Sequence, residues 1–123
     1  MEHLTPNEWY VMECLWQNPN CTGREAVEFL KKTVGWSRST TLTMLRRMTE
    51  KGMIACREEN SLLVYTSLLD REKATCQETD NFLNRVYQGS ISMLLSAVTR
   101  RSQLTKEELD NLYRILEEVE TRD

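Results

Sequence analysis

The feature that most constrains the fold is a change in the spacing of apolar residues at Gly52. Between residues 5 and 51, three segments repeat apolar side chains every three or four positions, which is typical of amphipathic helices. Beyond Gly52, residues 53–58 and 62–67 form two short runs on either side of a turn at 59–61, which predicts a β-hairpin. The predicted order of three helices followed by a hairpin leaves few architectures open.

Capping residues mark the start of each of the three helices. Residues 5–8, Thr-Pro-Asn-Glu, place a capping threonine, a proline at the first helical position and a glutamate three residues after the cap. Thr22 and Glu25 repeat this capping box without the proline, and Ser37 predicts the start of a third helix that ends near Lys51. The three helices are therefore bounded by local signals alone.

Three helices and a β-hairpin in this order are typical of a winged helix-turn-helix, in which the third helix enters the major groove of DNA. From residue 70 onward the apolar spacing is again helical. We therefore predict a mainly α fold with a small β-hairpin wing. It comprises an N-terminal winged helix-turn-helix DNA-binding domain at residues 1–69 and a C-terminal helical dimerisation domain at residues 70–123.

The C-terminal part carries more apolar side chains than two neighbouring helices of one chain can cover. An exposed apolar patch of this kind usually marks an interface, so we expect a second copy of the chain to supply the missing cover. The predicted dimerisation residues are Phe82, Val86, Tyr87, Ile91, Leu94, Leu95, Val98, Leu109, Leu112 and Leu116.

The net charge of −3 conceals an uneven distribution along the chain. Residues 1–69 hold eight basic and eight acidic side chains, whereas residues 70–123 hold eight basic and eleven acidic ones. Within residues 37–57, five side chains are basic and only Glu50 is acidic. Because charges more than about 8–10 Å apart are largely screened, the third helix is predicted to keep a locally basic face.

Steps of 100° per residue separate the third helix into a core side and an exposed side. Thr41, Met44, Leu45 and Met48 fall on the core side, Ser39, Thr43, Arg46 and Arg47 fall opposite, and Thr40 and Leu42 lie on the flanks. Serine and threonine are mediocre helix formers, but their short hydroxyls suit close approach to phosphates and base edges. This composition favours DNA binding over an inert solvated surface.

The other residue types that could carry chemistry do not predict a metal, cofactor or catalytic site. Cys14, Cys21, Cys56 and Cys76 are dispersed and His3 is the only histidine, so we expect no metal site. We expect Cys14 and Cys56 to be small buried or half-buried apolar residues. No phosphate-binding loop or nucleophile motif is present, which predicts no enzyme activity, no cofactor and no small-molecule substrate.

The sequence has neither a predicted membrane-spanning segment nor a predicted signal peptide, and this predicts its cellular location. No apolar run approaches the roughly 20 residues needed to cross a bilayer, and the first nine residues lack the basic and apolar regions of a signal peptide. We therefore expect a cytoplasmic protein.

Four stretches together carry a resemblance to a known family. They are LTPNEWYVMECLW, WSRSTTLTMLRRMTEKG, YTSLL and FLNRVYQGSISMLLSAV. From Leu4 to about Val119 the chain resembles the penicillinase-repressor (BlaI/MecI/CopY) family of winged-helix transcriptional regulators. The resemblance implies a homodimeric repressor that binds a palindromic operator in double-stranded DNA and controls resistance or stress genes.

The resemblance also indicates which side chains contact DNA. Ser37, Thr40, Thr43, Arg47 and Lys51 match the family's recognition-helix pattern. Together with the other residues of the exposed helix face and the wing, the predicted contacts are Ser37, Arg38, Ser39, Thr40, Leu42, Thr43, Arg46, Arg47, Lys51, Arg57 and Asn60.

Three departures from the family pattern bear on the operator that this chain prefers. Ser39 stands where relatives often have a longer basic or polar residue, and Leu42 stands where a base-reading polar side chain is common. Leu42 either packs on the flank of the helix or meets a thymine methyl group. Glu58 and Glu59 make the wing acidic, so Arg57 and Asn60 are expected to provide its contacts.

The resemblance suggests how repression is relieved. Copper-responsive relatives end in paired C-x-C motifs, whereas this chain has no cysteine after Cys76, so copper sensing of that type is not expected. In the β-lactam branch, a membrane sensor-protease pathway triggers cleavage within the dimerisation unit. The aligned bond here is Ser96–Ala97, where those repressors have Asn followed by Phe.

A second interpretation stays open, namely a winged-helix protein-interaction module that does not bind DNA. The acidic wing and the net negative charge favour it, whereas the hydroxyl-rich and arginine-rich third helix disfavours it.

Overall fold

A computed structural model describes residues 3–122 of the chain. The elements in chain order are α1 (Pro6–Gln17), β1 (Cys21–Thr22), α2 (Gly23–Val34), α3 (Arg38–Glu50), β2 (Ile54–Glu59), β3 (Leu62–Ser67), α4 (Arg71–Tyr87), α5 (Ile91–Arg101) and α6 (Lys106–Thr121). The mainly helical fold with a small β-hairpin wing is therefore confirmed.

The chain divides into two compact units, Met1–Glu78 (unit 1) and Thr79–Asp123 (unit 2). The division falls inside α4, because the first turns of that helix belong to unit 1. Ala74 of α4 is buried, and the Arg71 guanidinium donates to Glu13 Oε1 of α1 at 2.9 Å. Unit 1 therefore includes the start of α4 as well as the three helices and the hairpin.

The hairpin of β2 and β3, here called the wing, belongs to a three-stranded antiparallel sheet with the order β1-β3-β2. The sequence did not predict β1, because a strand of only two residues carries no alternating pattern. The turn is also shorter than predicted. Asn60 and Ser61 form it with φ of 52° and 66°, and Glu59 pairs with Leu62. Two consecutive residues with positive φ are typical of the type I′ turns that match strand twist.

The predicted helix caps are present in unit 1. The Glu8 amide donates to Thr5 Oγ1 at 3.2 Å, and the Thr5 amide donates to Glu8 Oε1 at 2.9 Å. The pair Thr22 and Glu25 repeats this reciprocal arrangement at 3.1 and 2.9 Å. Because each capping box satisfies two backbone groups that a helix end would otherwise leave unpaired, the ends of α1 and α2 are fixed locally.

Unit 1 has a closed hydrophobic core beneath α3. Leu45 and Met48 of α3 are fully buried with side chains from the other helices, such as Met12 and Leu30, and with Ile54 of the wing. These contacts hold α3 in one orientation, with its opposite side exposed.

The cysteine expectation is half wrong. Cys14 is buried as expected, whereas Cys56 is exposed. The reason is that β2 is an edge strand of the sheet with no strand beyond it, whereas Tyr65, the partner of Cys56 on the central strand β3, is buried.

Unit 2 contains apolar helices without a closed core. None of the described residues from 79 to 122 is buried, although α5 and α6 carry leucine, isoleucine and valine at helical spacing. Within residues 3–122, every helix is too short or too polar to span a lipid bilayer.

Candidate nucleic-acid interface

The side of α3 that faces away from the core is polar and basic. Ser39, Arg46 and Arg47 are exposed, and Thr43 is half-buried. Arg46 and Arg47 follow one another near the end of the helix, so their guanidinium groups leave it in different directions around its exposed side. Since guanidinium groups present several donors in a fixed fork, this face is suited to phosphates and base edges.

The first turn of α3 joins hydroxyl groups to a helix N-terminus. Ser37 caps the helix, because its Oγ accepts from the Thr40 amide at 3.1 Å and also donates to Thr40 Oγ1 at 3.1 Å. The turn holds no acid, and Arg38 is exposed beside it. Free amide groups, the positive end of the helix dipole and an arginine together favour an anion such as a DNA phosphate.

Lys51, at the end of α3, has a structural partner. Its ammonium lies 2.8 Å from Oε2 of Glu8, a side chain whose residue is only 3% exposed. Burial acts to raise the pKa of Glu8, but the hydrogen bonds from Lys51 and Thr5 and the charge of Lys51 bring the pKa below its usual value. Lys51 therefore ties the end of α3 to the start of α1, whether or not it also approaches DNA.

The wing's arginine is also held within the chain. The Arg57 guanidinium donates to Glu59 Oε2 at 3.0 Å and to Asn20 Oδ1 at 3.0 Å. The first bond neutralises much of the charge that the wing offers, and the second attaches β2 to the turn after α1. Asn60 lies exposed in the tight turn at the tip. The wing, with one arginine beside two glutamates, thus offers less positive charge than the exposed arginines of α3.

A cleft of about 530 Å³ opens beside this face. It lies between the start of α2, the first half of α3 and the start of β3. The residues that line it are Thr22, Gly23, Arg24, Arg38, Leu42, Ser61, Leu62, Leu63 and Tyr65. Leu42, on the flank of α3, is 36% exposed, and Leu62 and Leu63 on β3 are 55% and 53% exposed.

Sequence reasoning singled out Leu42 and Arg38 but missed Arg24, Leu62 and Leu63. The pair of leucines at the start of a strand resembled ordinary core residues. That they are exposed depends on how far the wing projects beyond β1, which pairs only with Tyr65 and Val64. No local pattern carries that information.

In unit 2 the predicted dimerisation residues lie on exposed or half-buried surfaces. Phe82, Val86, Ile91, Val98, Leu109 and Leu116 are exposed, and Tyr87, Leu94, Leu95 and Leu112 are half-buried. Four further apolar side chains are exposed on the same helices, namely Met93, Tyr113, Ile115 and Val119. Ser96 and Ala97 are half-buried in the middle of α5.

Metal-binding side chains are dispersed in the structure as they are in the sequence. Among residues 3–122, histidine, cysteine, aspartate and glutamate do not gather in groups of three that could hold a metal ion.

The geometry agrees with what comparison with known proteins finds. The sequence profile of the penicillinase repressor family matches residues 4–118. The penicillinase repressor of Bacillus licheniformis is 34% identical over 119 residues, which cover 97% of this chain and 93% of that protein. The methicillin resistance regulatory protein MecI of Staphylococcus aureus (strain N315) is 27% identical over 113 residues, which cover 92% of each.

Two solved structures share the fold. One is the solution structure of monomeric Bacillus licheniformis BlaI in complex with the blaP half-operator, with a TM-score of 0.53 and 31% identity over 58% of this chain and 87% of that one. The other is the DNA-binding domain of the repressor BlaI, with a TM-score of 0.51 and 32% identity over 55% of this chain and 83% of that one.

Proposed function

The chain belongs to the penicillinase repressor family, and from this premise we propose that it is a homodimeric transcriptional repressor of a palindromic DNA operator. The observation that carries the proposal is the exposed face of α3, which combines three arginines with short hydroxyls and stands on a closed core. The BlaI chain that shares this fold is bound to an operator half-site, which supports the same use of the fold here.

In the proposed complex α3 enters the major groove. Arg38, Arg46 and Arg47 neutralise phosphates, and Ser39 and Thr43 approach base edges. The capping pair of Ser37 and Thr40 presents the helix N-terminus to the backbone. These side chains supply both the position of the protein on the duplex and part of its sequence preference.

Lys51 and Arg57 contribute mainly by holding the frame of this interface. Their bonds to Glu8 and Glu59 leave less of their charge for phosphates. Asn60, at the tip of the wing, is uncharged and can reach the DNA backbone next to the groove that α3 occupies. The wing therefore adds shape and hydrogen bonding more than charge.

The second copy is proposed to bind through unit 2. The exposed apolar side chains of α5 and α6 have no cover within the described part of this unit, and a partner chain with the same surfaces would bury both sets at once. A two-fold dimer places its two recognition helices on half-sites about 34–36 Å apart, which is one turn of DNA. Occupying the operator in this way blocks transcription sterically.

We extend the proposal to relief of repression through the Ser96–Ala97 bond. The bond lies in the middle of α5, so a protease gains access to it only when that helix unwinds locally. Cleavage there detaches α6 and half of α5 from the rest of the chain and so removes most of the proposed dimer surface. Co-expression with the cognate membrane sensor-protease is expected to yield two fragments after induction, and an intact chain would contradict this part of the proposal.

The DNA-binding proposal is tested by fluorescence anisotropy against a duplex selected by the full-length chain from a random library. The logarithm of the affinity is expected to fall linearly with the logarithm of the salt concentration. Replacing Arg46 and Arg47 by alanine is expected to weaken binding and to reduce the magnitude of that slope by about four, because the dimer loses two arginines from each copy.

The matched control is Lys31→Ala with Lys32→Ala, which removes the same charge from an exposed pair at the end of α2. This control is expected to keep the slope of the wild type. Affinity that does not respond to salt, or equal losses in both double variants, would favour the protein-interaction module instead.

A further inference from the structure

We infer that the cleft between α3 and the wing holds the C5 methyl group of a thymine in the operator, and that Leu42, Leu62 and Leu63 select for that base. The inference rests on the proposed function, since it names a base that the proposed interface reads. It assigns a role to two wing residues that carry neither charge nor hydrogen-bonding groups.

One wall of the cleft is Leu42. On α3 it lies one helical turn from both Arg38 and Arg46, so an exposed leucine interrupts a row of exposed arginines. On a DNA-facing helix, each arginine can reach a phosphate or a guanine, but a leucine has only an apolar contact to offer. The position therefore favours an apolar group on the DNA.

The opposite wall is the start of β3, and its position is fixed by the hairpin. Glu59 pairs with Leu62 and Glu58 pairs with Leu63 in the antiparallel register. The two-residue turn before them sets that register, because a slip by one residue would move every side chain to the other face. Leu62 and Leu63 are thus held more than half exposed where they line the cleft. Because alternate strand residues share a face, Leu63 lies on the same side as Tyr65, which also lines the cleft, and Leu62 borders the cleft next to the turn.

The charges around the cleft identify its occupant as DNA. Arg24 at the start of α2 and Arg38 at the start of α3 line it, and none of the described residues that line it is acidic. Two cationic groups on an apolar cleft are complementary to a polymer that has phosphates on either side of an apolar group. In the major groove of DNA, the thymine methyl group is the apolar feature that distinguishes one base pair from the others.

The test replaces thymine by deoxyuridine, which lacks only the C5 methyl group. Using the duplex selected by the full-length chain, each thymine is replaced in turn and the dissociation constant is measured by anisotropy. At one position in each half-site the loss of the methyl group is expected to weaken binding about three- to tenfold, as burial of one methyl group implies. Replacements elsewhere are expected to have smaller effects.

Substitutions of Leu42 test whether this residue contacts the methyl group of the thymine that is sensitive to replacement. Leu42→Ala is expected to bind the thymine and deoxyuridine duplexes equally at that position, whereas Leu42→Met, which keeps an apolar contact, is expected to retain most of the discrimination. The control is Leu68→Ala, which removes an exposed leucine that does not line the cleft and is expected to discriminate as the wild type does. Leu42 is partly exposed, so its variants are expected to melt near the wild-type temperature.

Two results would overturn the inference, and they differ in whether the proposed function also fails. If Leu42→Ala weakens the thymine and deoxyuridine duplexes by the same factor, Leu42 contacts sugar or supports the helix, and DNA binding by α3 still stands. If the chain selects no duplex from the library, the proposed function fails and this inference fails with it.

Discussion

Unit 1 and unit 2 are both rich in apolar residues, yet only unit 1 encloses a core. In unit 1 side chains from three helices and the sheet are fully buried together, whereas none of the described residues from 79 to 122 is buried. The difference shows that the spacing of apolar residues gives a helix an apolar face but does not provide the surface that covers this face. Unit 1 supplies its own cover, and unit 2 is proposed to take it from a second copy.

The same contrast applies to charge within unit 1. Lys51 and Arg57 are paired with acids of the same chain, while the guanidinium groups of α3 project from its exposed face. Paired cations stabilise the fold, and exposed ones are available to a partner.

The largest effect is expected from charges placed on the apolar face of α6. Leu112→Asp with Leu116→Asp would bury two unpaired carboxylates from each chain, four in the proposed dimer, at a cost of about 4 kcal/mol or more in association free energy. Sedimentation velocity is expected to show a monomer. Tryptophan fluorescence is expected to show an unchanged unfolding transition of unit 1, because Trp9, Trp16 and Trp36 all lie in that unit.

The control for this pair is Glu117→Gln with Glu118→Gln, which alters exposed side chains of the same helix. It is expected to sediment as the wild type does. A double-aspartate variant that still sediments as a dimer would show that α6 is not the contact.

The next largest effect is expected from replacing a leucine of unit 1 or a leucine of unit 2, and the two differ in whether the loss of stability depends on protein concentration. Leu45 is fully buried in unit 1, so Leu45→Ala is expected to lower the free energy of unfolding by about 3 kcal/mol at every protein concentration. Leu116→Ala is expected to lower the stability of unit 2 by an amount that changes with protein concentration, since it acts through association. Denaturant titrations followed by far-ultraviolet circular dichroism at several protein concentrations distinguish the two variants. The same dependence on protein concentration in both variants would contradict the proposed difference between the units.

A smaller and pH-dependent effect is expected at the contact between Lys51 and Glu8. Lys51→Met leaves a buried carboxylate without its ammonium partner and is expected to cost about 1–3 kcal/mol near neutral pH. Because the pKa of Glu8 is lowered in the folded state, its contribution is present above the usual value of 4.5 and is lost as pH falls through the folded-state value. The gap between wild type and variant should therefore narrow below about pH 4.5.

Unfolding followed by tryptophan fluorescence from pH 3 to 7 measures this gap. Lys31→Met, at an exposed position of α2, serves as the control and is expected to follow the wild type at every pH. A Lys51→Met variant as stable as the wild type at neutral pH would show that the contact with Glu8 does not stabilise unit 1.

The smallest effect is expected from the loss of a threonine helix cap, compared between unit 1 and unit 2. Thr22 Oγ1 accepts from the Glu25 amide at 3.1 Å, and Thr105 Oγ1 accepts from the Glu108 amide at 3.0 Å. Replacing either threonine by alanine is expected to cost about 1 kcal/mol. Tryptophan fluorescence should detect the loss at Thr22 but not the loss at Thr105, for which hydrogen exchange of α6 amides is the measurement. A fluorescence change at Thr105 would mean that the units unfold together.

Local signals predicted much of unit 1. Thr5, Thr22 and Ser37 mark helix starts because each cap is satisfied within three residues, and the faces of α3 follow from its periodicity. Contacts between distant segments were not predictable. The Lys51–Glu8 pair spans 43 residues and the Arg57–Asn20 bond spans 37, so neither leaves a trace in the local pattern.

The candidate site shows the same limit. The basic and hydroxyl side chains of α3 were predicted, because they follow one another on one helix. The apolar cleft was not, because its walls come from α2, α3 and β3 and exist only when those elements pack. The expectation that Cys56 is buried or half-buried was wrong for a related reason, since its place on an edge strand is set by tertiary structure.

The measurement that tests the account most directly is native mass spectrometry of the full-length chain with its selected duplex, with less than one chain per duplex in the mixture. In the proposed complex, unit 1 binds DNA and unit 2 binds the second copy. We therefore expect free duplex together with duplex carrying two chains, and little duplex carrying one. A population dominated by one chain per duplex, or the absence of any complex, would contradict it.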